Sequence, residues 1–248
     1  MAALQAIDTT LDYVSSYDFE LALDAQQKEN LLKKLPCSPS SERNKEPIFQ
    51  QLKSLLPEHG IVLEIGSNTG QHCQYIGQQI YSSNLKAQIK CQWQPTDYVP
   101  DNFQMIQQRI NLSAVNIRSF ALKPKILNLL DADWEKGYSS GNVRLIYIAN
   151  VIHISPWECS IGLFRGSGSI LGKGQKLVIY GPQIINDGHH DVKNTSNQRF
   201  SVNLKSRNPQ WGVRNLEDVV KLAAQYGLRK DAKIDMPANN YIIVFEKQ

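Results

Sequence analysis

The chain has 248 residues, of which 42% are hydrophobic and 20% charged, enough to bury one full-sized core, so a single α/β domain is the default expectation. Its net charge of +4 is dispersed, with no stripe of lysines and arginines and no interleaved aromatic ladder, which argues against a nucleic-acid partner. Cys37, Cys73, Cys91 and Cys159 lack metal-ligand spacing, so reduced thiols in a cytoplasmic protein without a bound metal are expected. The longest apolar run, Leu145 to Ile154, is about half of what a bilayer requires and is broken by Asn150 and His153, which argues against a membrane span.

The first 27 residues carry acids and no base, a composition shift that marks an N-terminal extension, residues 1–40, ahead of a domain over 41–248. Leucines and Phe19 at helical spacing predict a helix over residues 17–35, ended by Pro36, then a Ser/Pro-rich linker over 36–41. A helix follows from Glu42 to Leu56, with Pro47 near its first turn, where a missing N–H costs little. Strand one is expected over Gly60–Ile65, a helix over Gln71–Ser82, and strand two from Cys91, closing on Asp97. Pro100 then opens a helix through Ile110.

Strand three is either Ile117–Leu122 or Lys125–Leu130, and the pattern leaves both open. Val143–Ala149 is apolar nearly throughout, as central parallel strands are. A helix over Trp157–Leu171 precedes strand five, Gln175–Tyr180. After a long polar stretch come a helix over Leu216–Tyr226, with Asn215 as N-cap, and strands over Leu228–Asp235 and Tyr241–Glu246. Strands alternating with helices imply a doubly wound, mostly parallel sheet, and the short Met-Pro-Ala-Asn-Asn link implies an antiparallel last strand. Seven strands are expected.

Residues 62–72, Val-Leu-Glu-Ile-Gly-Ser-Asn-Thr-Gly-Gln-His, place an acid and two glycines at a strand-to-helix junction. Glycine lets backbone pass close beneath a ligand. The dinucleotide fingerprint fails, because its third and sixth positions are Asn68 and Gln71. A nucleoside without phosphates fits better, held by Glu64 and the main chain of the loop. The stretch resembles the first motif of class I S-adenosylmethionine-dependent methyltransferases, with Glu64, Gly66 and Gly70 kept and Asn68 in place of the middle glycine.

Ligands of doubly wound folds sit outside the carboxyl ends of the strands. Asp97, ending strand two, is the natural acceptor for two ribose hydroxyls, with Tyr98 beside the adenine or on the surface. Asp131-Ala132, with Asp133 as a weaker alternative, follows strand three where methyltransferases place an acid for the adenine amino group. Asn150 and His153 leave strand four on the side of a methyl donor, and His153 either removes a proton from the acceptor or shapes the pocket. Tyr180, with Phe200 and Trp211, can wall that pocket, and Tyr180 joins His153 as a candidate catalytic residue. The polar stretch 181–212, with Asp187-Gly188-His189-His190, is expected to be a substrate-facing lid and not a metal site.

Ser41-Glu-Arg-Asn44-Lys-Glu-Pro47-Ile48, Leu63 to His72, Trp93-Gln-Pro-Thr-Asp97, His153-Ile-Ser-Pro-Trp157 and Tyr180-Gly-Pro182 resemble, as a set, the methyltransferase-like protein 26 family, long labelled a domain of unknown function. Asn208 to Asp218 and Met236 to Asn240 complete the set, over roughly residues 40–247. The resemblance implies a Rossmann-like methyltransferase fold and S-adenosyl-L-methionine as cofactor. It also implies that Arg43, Asn44, Ile65, Ser67, Asn68 and His72 belong to the cofactor pocket. Where the family has Leu-Asp-Val, this chain has Leu127-Asn128-Leu129, a departure at the expected adenine contact. The expected activity is methyl transfer to an O or N nucleophile of a small molecule. The alternative is a non-catalytic binding or scaffold protein of the same fold, and the intact Glu64, Gly66, Gly70 and Asp97 argue against it.

Overall fold

The computed structural model describes residues 23–138, 141–185 and 192–248. The expected helix over 17–35 appears as α1 (Ala25–Leu32), capped by Asp24, and residues 17–22 lie outside the description. Helix α2 (Pro39–Leu52) starts within the expected linker, because the Ser38 side chain accepts from the N–H of Ser41 and Pro39 suits the first turn. Pro47 consequently sits inside the helix and not at its start, where it removes the N–H that would bond Arg43.

Strand β1 (Ile61–Ile65) leads into α3 (Gln71–Tyr81), and β2 (Gln92–Asp97) into α4 (Asp101–Leu112). Of the two candidates for strand three, Lys125–Ile126 is β3, only two residues long, while 115–120 forms helix α5 (Val115–Phe120). Strand β4 (Val143–Ala149), α6 (Trp157–Ile170) and β5 (Lys176–Gly181) follow as expected. A short β6 (Gln183–Ile184) pairs in parallel with β7 (Arg214–Asn215). Between them runs α7 (Val192–Arg207), a helix within the stretch whose polarity predicts a lid loop. Its buried residues, Asn197, Ser201 and Leu204, have helical spacing, but two of the three are polar and give no hydrophobic periodicity. Helix α8 (Leu216–Gln225) starts at the expected cap, where Asn215 Oδ1 accepts from the N–H of Glu217 at 3.0 Å.

The seven-stranded sheet has the order β3-β2-β1-β4-β5-β9-β8, with β8 (Leu228–Met236) and β9 (Asn240–Lys247) antiparallel and β1 to β5 parallel. This is a Rossmann-like methyltransferase fold. Along β4, Leu145 and Tyr147 join a core with Ile48 of α2, Ile76 of α3 and Ile106 of α4, while Ile146 and Ile148 join the opposite core with Leu163 of α6 and Val219 of α8. Period-two alternation of apolar residues thus builds both layers.

Helix α6 contributes a glycine face to that second core. A Cβ on Gly162 would stand 1.9 Å from the carbonyl oxygen of Leu129, and one on Gly166 would stand 2.1 Å from the Trp134 ring. The segment after β3 lies against the helix only because these side chains are absent. Gly162→Ala gains helix propensity but must push backbone aside, so a net loss of about 1–3 kcal/mol is expected. Urea unfolding measures it, and a Gly162→Ala protein as stable as the wild type would contradict this packing.

Candidate active site

The chain reverses its strand order between β1 and β4, and the carboxyl ends of β1, β2, β4 and β5 deliver Gly66, Asp97, Asn150 and Gly181 to one edge. The loop after β1 turns in the left-handed region at Gly66 (φ 75°), Asn68 (φ 48°) and Gly70 (φ 72°). Asparagine tolerates that region better than other side chains, which explains how Asn68 replaces the expected glycine. The N–H groups of Gly66 and Ser67 both donate to the carbonyl of Thr96, at 3.0 and 2.8 Å. Those of Asn68 and Gly70 donate to Asp97 Oδ2 and the Ser67 carbonyl, both at 2.8 Å. These four donors are spent internally and form no cradle for a pyrophosphate.

Beneath the loop lies a buried polar network. Glu64, 2% exposed, accepts from Trp93 Nε1 and Ser67 Oγ, both at 2.8 Å, through one oxygen, and its other oxygen stands 3.6 Å from His72 Nδ1. His72 Nε2 lies 2.8 Å from Asn44 Oδ1, which can only accept, so that nitrogen carries a proton. Nδ1 then faces the hydroxyl of Tyr147 at 3.4 Å. Glu64 therefore shapes the loop from below, and Ile65 is a core residue whose side chain is 3% exposed. Asn44 also bonds Tyr180, while Arg43 is exposed and acts on Tyr180 by its charge. Burial raises the Tyr180 phenol pKa, and these two neighbours partly offset the rise. The early Arg-Asn pair is thus carried by α2 to the end of β5.

A second set of contacts buttresses the far side of the loop. Arg109 of α4, 3% exposed, donates from Nε to the Thr69 carbonyl and from a terminal nitrogen to the Pro36 carbonyl, both at 2.7 Å. Gln71 Oε1 accepts from the N–H of Ser38 at 2.6 Å and from Thr69 Oγ1 at 2.7 Å, while its Nε2 donates to Glu42 at 2.9 Å. Glu42, Gln71 and Arg109 also line a small cleft of about 130 Å³ beside α1, away from the ends of β4 and β5. Sequence reasoning missed Arg109, although a charge between Ile106 and Ile110 on an apolar stripe was a visible signal.

Asp97 is buried, and each carboxylate oxygen accepts one backbone N–H, from Asn68 at 2.8 Å and from Val99 at 3.0 Å. A carboxylate has about four acceptor positions, which leaves two for a ligand. Tyr98 is 67% exposed. Asp131 and Ala132 are exposed, and Asp131 accepts from Asn128 Nδ2 at 3.2 Å. The N–H of Leu127 bonds the carbonyl of Asp97 at 2.9 Å, so Asn128 is nearer the strand end than Asp131 in the chain.

Asn150 takes a left-handed turn (φ 58°) off β4, and its N–H bonds the Tyr180 carbonyl at 2.9 Å. A Cβ on Gly181 would lie 3.4 Å from His153 Nδ1 and 3.8 Å from Asn150 Oδ1, so these two side chains share one recess at the ends of β4 and β5. The His153 ring meets Phe200 of α7 edge to face, with centroids 5.8 Å apart. Burial, assisted by the charge of Arg214, lowers the His153 pKa from 6.5 to about 4. Arg214 itself is held by the carbonyls of Ile152 and Ser155. Trp211 lies beside Arg207 and not against His153 or Tyr180 in any described ring contact. Asp187 to His190 lie outside the described residues. Among the described residues, no group of three His, Cys, Asp or Glu side chains is placed to hold a metal, and no helix is long and apolar enough to cross a membrane.

Solved structures similar to the chain share this fold at low identity. An O-methyltransferase family protein from Burkholderia thailandensis superposes with a TM-score of 0.65 at 11% identity, over 92% of this chain and 61% of that one. An O-methyltransferase family 2 protein from Planctomyces limnophilus, solved in complex with apigenin, gives 0.63 at 16%, over 92% and 63%. Human N-acetylserotonin methyltransferase in complex with SAM gives 0.61 at 13%, over 90% and 55%. The chain thus spans less than two thirds of the length of each. Residues 35–247 match the family described as "Protein of unknown function (DUF938)", which takes in α2, the whole sheet and both polar networks, and the chain belongs to that family.

Proposed function

We propose that the chain transfers a methyl group from S-adenosyl-L-methionine to an O or N nucleophile of a small molecule. The observation that carries this reading is Asp97, a buried acid ending β2 beside the strand-order reversal, with two acceptor positions free for the two hydroxyls of a ribose. The internally spent N–H groups of the 66–70 loop suit a nucleoside without phosphates. The motifs that resemble the methyltransferase-like protein 26 family point the same way, as do similar structures solved in complex with SAM and with apigenin.

In this reading the cofactor supplies an electrophilic methyl group, and the chain supplies placement. Asp97 would bind the ribose, and the 66–70 loop would hold the nucleoside. Asp131, which accepts from Asn128 at 3.2 Å, would take the adenine contact. Glu64, Trp93, His72 and Asn44 hold the loop and the end of β5 in fixed relation. His153 is neutral near physiological pH and, with a pKa of about 4, is a weak base. Its role is to accept a hydrogen bond from the nucleophile. Alignment of the two reactants can supply roughly 7–11 kcal/mol of the barrier reduction. Helix α7, which reaches His153 through Phe200, covers the acceptor side.

Calorimetric titration with S-adenosylhomocysteine tests the proposal. The wild type is expected to bind, and Asp97→Ala to bind about ten- to a hundredfold more weakly, the loss of about 1.5–3 kcal/mol of charge-assisted hydrogen bonding. Unchanged affinity in a folded Asp97→Ala protein would reject the ribose role. No binding by the wild type would favour the non-catalytic alternative.

A further inference from the structure

One turn of α7 links His153, which meets Phe200, to a second buried residue with unpartnered polar atoms, Gln183, whose carbonyl bonds Asn197, three residues before Phe200. Gln183 of β6 is 1% exposed, and neither its amide oxygen nor its amide nitrogen has a hydrogen-bond partner; His153 Nδ1 is likewise unpartnered. The backbone of Gln183 is clamped, since Asn197 Nδ2 of α7 donates to its carbonyl at 2.9 Å. The element is therefore fixed while the amide head is left bare. Burying unpaired polar atoms destabilises a fold, and a leucine or methionine of similar volume would avoid that. Gln183 lies two residues past Gly181, whose Cβ position borders His153 Nδ1 and Asn150 Oδ1. Both sets of bare atoms are thus found where doubly wound folds bind ligands.

We infer that the amide of Gln183 and Nδ1 of His153 bind the methyl acceptor, and that this acceptor is a neutral molecule carrying a carboxamide or lactam edge. The inference rests on the methyltransferase reading for the reaction and deepens it by naming the substrate class. A primary amide presents a donor and an acceptor side by side, the complement of another amide edge. Neutrality follows from the surroundings. Arg214, the cation acting on His153, is spent on two carbonyls and packs over Trp157.

The test uses the full chain saturated with S-adenosylhomocysteine and two calorimetric probes, meta-hydroxybenzamide and meta-cresol. The wild type is expected to bind the benzamide roughly tenfold or more tightly than the cresol, and Gln183→Leu to erase that ratio. The ligand-free Gln183→Leu protein is expected to melt at or above the wild-type temperature, because two unpaired buried atoms are gone. A variant that melts well below the wild type would assign the amide a structural partner such as a buried water and overturn the inference. Equal binding, or no binding, of the two probes by the wild type would overturn it as well. Should S-adenosylhomocysteine itself fail to bind, the methyltransferase reading fails separately, and the probes and the melting comparison on the unloaded chain still decide the Gln183 site.

Discussion

Arg109→Met is expected to destabilise the protein by about 2–4 kcal/mol and to loosen the 66–70 loop. The guanidinium joins three parts of the chain, bonding the Thr69 carbonyl, the Pro36 carbonyl and, at 3.3 Å, Gln74 of α3. Each hydrogen bond to a charged group is worth about 1.5–3 kcal/mol, and the relief of no longer burying a cation offsets part of the loss. For a chain of this length that corresponds to a fall in melting temperature of very roughly 5–15 °C. Arg109→Lys keeps the charge but not the forked geometry, so it is expected to recover only part. Two readings check the result: thermal unfolding, and limited proteolysis near Pro36, which should quicken as the segment is released. A Met variant with wild-type melting and unchanged cleavage would show that the contacts carry no net stability.

Acidification is expected to cost the fold stability through His153. Its folded pKa of about 4 lies below its ordinary 6.5 because the ring is desolvated and lies near Arg214. The unfolded chain therefore takes up a proton in a pH range where the folded chain does not. Stability from this group is fully present above the unfolded value and is lost as pH falls from 6.5 toward 4. Between about pH 7.5 and about pH 5 the loss is about 2 kcal/mol for this residue. The groups facing the ring, Arg214 and Phe200, do not titrate in that range, so His153→Gln isolates the effect. Urea unfolding of both proteins at the two pH values should show the wild-type advantage over the variant shrinking by that amount. A pH-independent difference would mean that the ring can take up its proton without unfolding. The same substitution bears on the reaction, because glutamine keeps a hydrogen-bonding group in the recess and should retain methyl transfer if His153 only positions the acceptor.

Much of the architecture was legible because hydrophobic period and strand ends are local properties. Val143–Ala149 reads as a buried strand from its own residues, and Asn215 marks a helix start by its own side chain. The acid-glycine junction and the acid closing strand two are likewise written in consecutive positions, so their placement at the carboxyl ends of β1 and β2 followed from the chain alone. Helix α7 escaped because its buried stripe is polar, and strand three stayed ambiguous because two paired residues carry no period.

Only the tertiary structure decided what the polar residues touch. Glu64 reads as a ligand contact in sequence, yet Trp93, 29 positions away, and His72 meet its carboxylate. Arg109 stands next to Ile110 in the sequence, yet its guanidinium bonds the Pro36 carbonyl, 73 positions away. Gln183 reads as part of a polar loop, yet its amide is buried without a partner. Apolar burial is non-directional, so composition and spacing predict it. A hydrogen bond demands a partner within about 3 Å at a defined angle, and that partner is brought by the crossing of distant elements.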